Sequence, residues 1–137
     1  DIMLVVETGN NAMITSCFLG RKLIDDLDTK HLKVLWDPAN ALYCGENPSK
    51  NALDSMEGGY LGHVHMKDVE VAIHQAKIKC VALGEGQMAP RLQKISERLN
   101  QIGYDGSMSL ESVYRPTEGN FEDGFNASIT KFKNLYS

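Results

Sequence analysis

Four short hydrophobic segments, each ending in a side chain that can bind a metal ion, constrain the fold more than any other feature of the sequence. They are Leu4-Val5-Val6-Glu7, Val34-Leu35-Trp36-Asp37, Gly62-His63-Val64-His65 and Met108-Ser109-Leu110-Glu111. A segment predicted to be helical follows each run, and parallel strands place their carboxyl ends along one rim of a sheet. The four terminal side chains are therefore predicted to converge at that rim. They are Glu7, Asp37, His65 and Glu111.

Strands and helices are predicted to alternate over the whole chain, which places it in the α/β class. The predicted strands span 1–7, 32–37, 61–66 and 106–111, and the predicted helices span 12–27, 48–58, 88–102 and 121–135. Residues 39–47 and 68–88 are predicted as loops, with a short extended piece at 78–83. The right-handed crossover rule makes the four strands parallel, with helices outside the sheet. Four such βα units equal half of a (β/α)8 barrel.

Composition and charge restrict the function classes. The 137 residues carry a formal charge of −4 and are 42% hydrophobic, which suits a single domain over 1–137 with a substantial core. No basic patch indicates nucleic acid or an anionic membrane, and no apolar run approaches the roughly 20 residues of a membrane span. The expected partner is a small molecule, and the expected location is the cytoplasm. The three cysteines, Cys17, Cys44 and Cys80, are interpreted as packing residues, because they are odd in number and widely spaced.

The side chains at the predicted rim select a class of metal ion. Three carboxylates and one imidazole suit Mn²⁺ or Mg²⁺, with Co²⁺ or Zn²⁺ as alternatives, and the sequence has no cysteine-rich zinc motif. A single carboxylate after a strand is often only a helix cap or a solvated loop residue. Four such positions in four predicted strands favour the metal interpretation. His63 lies on the same strand face as His65 and is expected to pack beside it or to contact substrate, whereas His31 and His74 are expected to be solvated.

Five motifs follow one another along the chain in the order found in a known family. They are Glu7-Thr8-x-x-Asn11, Trp36-Asp37-Pro38-Ala39-Asn40, His63-Val64-His65-Met66-Lys67-Asp68, Leu83-Gly84-Glu85-Gly86, and Gly103-Tyr104-x-Gly106 leading into Ser109-Leu110-Glu111. Together they resemble the xylose isomerase-like TIM barrel superfamily, and more narrowly its sugar-phosphate isomerase and epimerase branch. The resemblance runs through nearly the whole chain and corresponds to strands five to eight of that barrel. It implies the C-terminal half of a TIM barrel.

The resemblance also implies a reaction and a set of site residues. One divalent ion is expected, with one ligand at each strand end, namely Glu7, Asp37, His65 and Glu111. The implied activity is metal-dependent isomerisation or epimerisation of a sugar or sugar phosphate through an enediolate. In the epimerases of this family the two glutamates exchange the proton of the carbon next to the carbonyl, one removing it and the other returning it. Further substrate or phosphate contacts are expected from Asn40, His63, Lys67 and Arg115, and from the turn at 84–86.

Two departures from the family pattern leave the substrate open. Asn40 stands where many relatives carry a histidine three residues after the aspartate, and Val71 stands where relatives that epimerise free sugars carry an arginine. An endonuclease IV-type DNA repair nuclease is the competing enzyme class. Its trinuclear zinc site needs Asp-x-x-His after the second strand and Asp-x-His beyond the third, and neither motif is present. A non-catalytic fragment or ligand-binding module is the third hypothesis.

The first predicted strand begins at Asp1 without any preceding element, so the sequence is interpreted as a fragment. Four parallel strands alone leave two unpaired edges and expose an apolar inner face. The chain is therefore expected to associate through these edges, either with a missing N-terminal half or with a second copy of itself.

Overall fold

A four-stranded parallel sheet organises the computed structural model, which describes residues 2–136. The strands in chain order are β1 (Leu4–Glu7), β2 (Leu32–Trp36), β3 (Leu61–Met66), β4 (Asp68–Ala72), β5 (Lys77–Val81) and β6 (Met108–Leu110). The parallel sheet has the order β1-β2-β3-β6, whereas β4 and β5 form a separate antiparallel hairpin. The predicted α/β fold of four parallel βα units, corresponding to half a barrel, is confirmed.

Four α-helices connect or flank these strands. They are α1 (Cys17–Leu27), α2 (Pro38–Tyr43), α3 (Leu92–Gln101) and α4 (Phe121–Tyr136). The core lies where helices cover the sheet, and Val34 and Trp36 of β2 are fully buried there. Gly20 lets α1 approach β2 closely, because a Cβ at this position would lie 2.7 Å from a methyl carbon of Val34. No helix among residues 2–136 is both long enough and apolar enough to cross a lipid bilayer.

The segment after β2 differs from the prediction. Residues 39–47 were expected to form a loop and 48–58 a helix, but α2 begins directly at Pro38 and only a 3₁₀ helix follows, over Ala52–Met56. The Asp37 carboxylate caps α2 by accepting the N–H groups of Ala39 and Asn40, both at 3.0 Å. A capping aspartate followed by proline at the first helical position starts a helix, so Pro38 ends the strand and opens α2.

The predicted loop at 68–88 contains the antiparallel hairpin of β4 and β5. A 3₁₀ turn at Ile73–Gln75 connects the two strands, and Ala76 closes it with a left-handed φ of 51°. The hairpin base is fixed by Asp68, whose carboxylate is buried and accepts four backbone N–H groups at 2.8 to 3.0 Å. The donors are Val69, Gly84, Gly86 and Met88. The turn at 84–86 therefore uses the N–H groups of both glycines internally and does not offer them to a phosphate.

Two further predictions need correction. Helix α1 begins at Cys17 and not at residue 12, because the Ser16 hydroxyl accepts the N–H of Leu19 and caps the helix there. Cys17 is buried and Cys80 is partly buried, as expected of packing residues, but Cys44 is exposed just after α2. The packing interpretation is therefore wrong for Cys44.

Candidate metal centre

Four side chains meet at the carboxyl edge of the parallel sheet. One donor atom from each of them lies within 4.8 Å of every other, and we call this group the cluster: Glu7, Asp37, His65 and Glu111. The Nδ1 atom of His65 is 3.5 Å from Glu7 Oε1 and 3.7 Å from Glu111 Oε2. The convergence arises because β1, β2, β3 and β6 run parallel, so their carboxyl ends share one edge. The role of these four residues as metal ligands stays a prediction.

The Asp37 side chain is held from several directions. It is completely buried, and its Oδ1 atom is occupied by the two N–H groups at the start of α2. Its own backbone N–H donates to the Thr8 hydroxyl at 3.0 Å, which ties the end of β2 to the segment after β1. Because Oδ1 caps the helix, Oδ2 is the oxygen that faces the cluster.

A lysine lies among the carboxylates. The Nζ atom of Lys67 is 2.6 Å from both Asp37 Oδ2 and Glu111 Oε2, and its side chain is only 11% exposed. Burial raises the pKa of Asp37 to about 6, although the ammonium of Lys67 acts in the opposite direction. Burial also acts to raise the pKa of Glu111, but the hydrogen bond and charge of Lys67 outweigh it and lower that pKa. The two carboxylates therefore differ in basicity while sharing one cation.

The donor set of the cluster fits a divalent cation. Two ligands of one ion at about 2.3 Å can lie at most roughly 4.6 Å apart, so the donor atoms, which lie within 4.8 Å of one another, would need to close in slightly around an ion. His65 Nδ1 is buried and has no hydrogen-bond partner within residues 2–136, whereas the buried Asp37 Oδ2 is paired with the Lys67 ammonium at 2.6 Å. Three carboxylates also face a single ammonium, which leaves excess negative charge at the site.

The other predicted contact residues occupy different surroundings. The Asn40 side chain is buried and donates from Nδ2 to the Thr8 carbonyl at 3.1 Å, so it braces the start of α2. The imidazole of His63 lies beside His65, and its two nitrogens are hydrogen-bonded to serine hydroxyls. Arg115 is exposed on the loop after β6, where its Nε donates to the Gly119 carbonyl at 2.9 Å. Unlike Lys67, Arg115 makes no ion pair with the cluster in the described part of the chain.

Sequence reasoning assigned no role to four residues that shape the site. Thr8 accepts from the backbone of Asp37, Asp68 anchors the segment behind Lys67, and two serines hold His63, namely Ser107 and Ser109. The serines carried a usable signal, because Ser107-x-Ser109 and His63-x-His65 share the two-residue period of a strand. That period places both pairs on the same face of adjacent strands.

Comparison with known proteins identifies the family. A model of the xylose isomerase-like TIM barrel family matches residues 1–134. Among solved structures, the chain is similar to a xylose isomerase domain protein from Planctomyces limnophilus, with a TM-score of 0.73 and 24% identity over 97% of this chain and 44% of that one. It is also similar to 3-keto-D-glucoside 4-epimerase from E. coli, with a TM-score of 0.72 and 22% identity over 96% of this chain and 46% of that one.

A third similar structure is an L-ribulose 3-epimerase, with a TM-score of 0.74 and 16% identity over 97% of this chain and 46% of that one. At these identities the structural likeness establishes the fold alone, and the chain spans less than half the length of these three proteins. No curated protein matches the sequence significantly. The family match covers nearly every residue and agrees with the parallel sheet and its order of strands, so the chain belongs to the xylose isomerase-like TIM barrel family.

Proposed function

We propose that this protein is a divalent-metal-dependent isomerase or epimerase of a sugar or sugar phosphate. The observation that carries the proposal is the cluster, in which three carboxylates and one imidazole from four strands lie within 4.8 Å of one another. Family membership supports the same chemistry. So do the names of similar structures, which include a 3-keto-D-glucoside 4-epimerase and a D-psicose 3-epimerase determined in the presence of D-fructose.

The four residues of the cluster would hold the ion, preferably Mn²⁺ or Mg²⁺ given their oxygen-rich donor set. When bound, such an ion would polarise the carbonyl and hydroxyl oxygens of a substrate and lower the free energy of the enediolate. Asp37 is the most firmly held of the four, since its other oxygen caps α2. Asp37 and His65 would thus fix the centre, while the two glutamates would also face the reacting carbon.

Glu7 and Glu111 would transfer the proton. They lie at the ends of β1 and β6, the two outer strands of the sheet, and so flank Asp37 and His65 in the order of strands. One glutamate would remove the proton next to the carbonyl, and the other would return it on the opposite face. The hydrogen bond and charge of Lys67 lower the pKa of Glu111, which keeps this carboxylate ionised but makes it a weaker base. The Lys67 ammonium lies where it can also donate to a substrate oxygen.

Exchange of a carbon-bound proton with solvent tests this proposal. Ketohexoses and their phosphates would be incubated with the protein in D₂O at saturating Mn²⁺, and deuterium incorporation next to the carbonyl would be followed by NMR. Glu7→Gln and Glu111→Gln are each expected to abolish incorporation, whereas Glu118→Gln, on the exposed loop after β6, serves as the matched control. Retained incorporation in both cluster variants would rule out the two-glutamate mechanism.

We also propose that further strands cover the edges of the parallel sheet. In β1, Leu4 is 61% and Val5 is 43% exposed, although both are large apolar residues. The uncovered edge of β1 has unpaired backbone groups, which favour pairing with another strand. Either a preceding N-terminal half or a second copy of the chain would supply the additional strand. Residues 1–137 would act as one domain of that assembly. We expect the assembly to work in the cytoplasm.

A further inference from the structure

We propose that His63 is a positioning residue, which fixes the ring of His65 and does not bind substrate. The inference rests on the proposed metal site, since it concerns how one of the four ligands is oriented. It departs from the expectation that His63 contacts substrate. The evidence is the arrangement of His63 between His65 and two serines of the neighbouring strand.

The rings of His63 and His65 are in direct edge-to-face contact. Their centroids are 5.2 Å apart and their planes make an angle of 88°. The Nδ1 atom of His65 is buried and has no hydrogen-bond partner within residues 2–136, although it lies against two carboxylates of the cluster. A metal-binding histidine usually has its second nitrogen fixed by a hydrogen bond. At His65 the neighbouring ring takes over that orienting function.

His63 is itself fixed by two hydrogen bonds. Its Nδ1 atom is 2.9 Å from the hydroxyl of Ser107, and its Nε2 atom is hydrogen-bonded to the hydroxyl of Ser109. Ser109 is the register partner of His65 across the β3–β6 pair. The imidazole of His63 therefore bridges the two strands that carry His65 and Glu111, and it stabilises the spacing between these two members of the cluster.

The location of His63 disfavours a substrate contact. It precedes His65 by two residues on β3, which is roughly 6.6 Å towards the amino end of the strand at about 3.3 Å per residue. The cluster lies at the opposite, carboxyl end of the sheet. A substrate hydroxyl that used a nitrogen of His63 would also have to displace one of the two serines.

Two substitutions separate the ring contact from the hydrogen bonds. His63→Phe keeps an aromatic ring beside His65 and loses both serine contacts, whereas His63→Gln keeps polar groups for the serines and loses the ring. Mn²⁺ affinity would be measured by isothermal titration calorimetry on folded protein, with thermal unfolding as the check on folding. His63→Gln is expected to bind Mn²⁺ about 10-fold to 100-fold more weakly. His63→Phe, which keeps the ring but loses the serine contacts that fix it, is expected to lose clearly less affinity than His63→Gln, and His31→Gln, the exposed control, is expected to keep wild-type affinity.

The other outcomes overturn the inference in distinguishable ways. Wild-type Mn²⁺ affinity in His63→Gln would show that the ring contact is dispensable, and a higher KM in that variant would assign His63 to substrate. An equal loss in His63→Phe and His63→Gln would show that the ring does not orient His65. Absence of Mn²⁺ binding in the wild-type protein would instead contradict the metal site itself, and the inference would fall with it.

Discussion

The two central strands and the two edge strands of the sheet each contribute two residues to the cluster, but they hold them differently. Asp37, after the central strand β2, is completely buried and accepts two N–H groups. The side chain of Glu7, after the edge strand β1, is 41% exposed. His65 on central β3 is 21% exposed, and Glu111 after edge strand β6 is 36% exposed. Exposure of the cluster thus follows the position of the strand in the sheet.

This difference matches the two roles that we propose for the residues of the cluster. The central pair, Asp37 and His65, is fixed by capping and by ring packing before any ligand binds. The edge pair, Glu7 and Glu111, has fewer neighbours on the side away from the central strands, because each edge strand is paired on one side only. The proposed proton-transfer residues are therefore the ones whose surroundings are completed by whatever covers the edges.

Removing a cluster side chain after a central strand should cost far more stability than removing one after an edge strand. Asp37→Ala leaves the buried ammonium of Lys67 with one partner fewer and removes the cap of α2, so we expect it to lower the free energy of unfolding by about 3–5 kcal/mol. Glu7→Ala removes a partly exposed side chain and should change the free energy by less than about 0.5 kcal/mol. Urea denaturation measures both, and equal losses would mean that the edge and centre are equally fixed.

Loss of the hydrogen bond between Thr8, after edge strand β1, and Asp37, after central strand β2, should have an intermediate effect on stability. Thr8→Val removes the acceptor of the buried Asp37 N–H, and we expect a loss of about 1–3 kcal/mol in the free energy of unfolding. Thr29→Val is the matched control, because Thr29 accepts the N–H of His31 in an exposed turn. A control variant that loses as much as Thr8→Val would show that burial of the hydrogen bond is unimportant.

The central pair should also set the pH dependence of metal binding. Burial raises the pKa of Asp37 to about 6, so protons compete with the metal for this carboxylate at higher pH than for an ordinary aspartate. Mn²⁺ affinity is expected to be constant with respect to this group above pH 6 and to fall as pH decreases below it. The limiting slope is about tenfold per pH unit, or about 1.4 kcal/mol. Affinity that declines only near pH 4 would contradict the raised pKa.

The edge strands should control association with little effect on folding. A lysine on an edge strand opposes pairing with another strand, so Val5→Lys is expected to weaken association of the chain and to change the free energy of unfolding by less than about 0.5 kcal/mol. Met13→Lys replaces an exposed apolar residue outside the sheet and is the control. Sedimentation velocity reports the association. A wild-type chain that is a compact monomer at micromolar concentration would refute the role of the edges.

The sequence predicted the strand ends because apolar runs and polar termini are local signals. It predicted a short extended piece at 78–83, which overlaps β5, but it missed β4 and the pairing of the two strands, although Val69, Val71, Ile78 and Cys80 alternate with polar residues. The turn between β4 and β5 has no sequence signal, since Ala76 adopts the left-handed conformation that usually favours glycine or asparagine. The contacts of Lys67 with two carboxylates could not be predicted, because they join residues that are distant in the chain and depend on side-chain orientation.

The stoichiometry of Mn²⁺ binding, measured by calorimetry at neutral pH, tests the proposed metal centre most directly. One ion per chain is expected, because the four donor atoms of the cluster lie within 4.8 Å of one another. Asp37→Asn should abolish this binding while keeping an oxygen to cap α2. Saturable binding of one ion that disappears in the variant would support the metal centre. No saturable binding in the wild-type protein, or unchanged binding in Asp37→Asn, would contradict it.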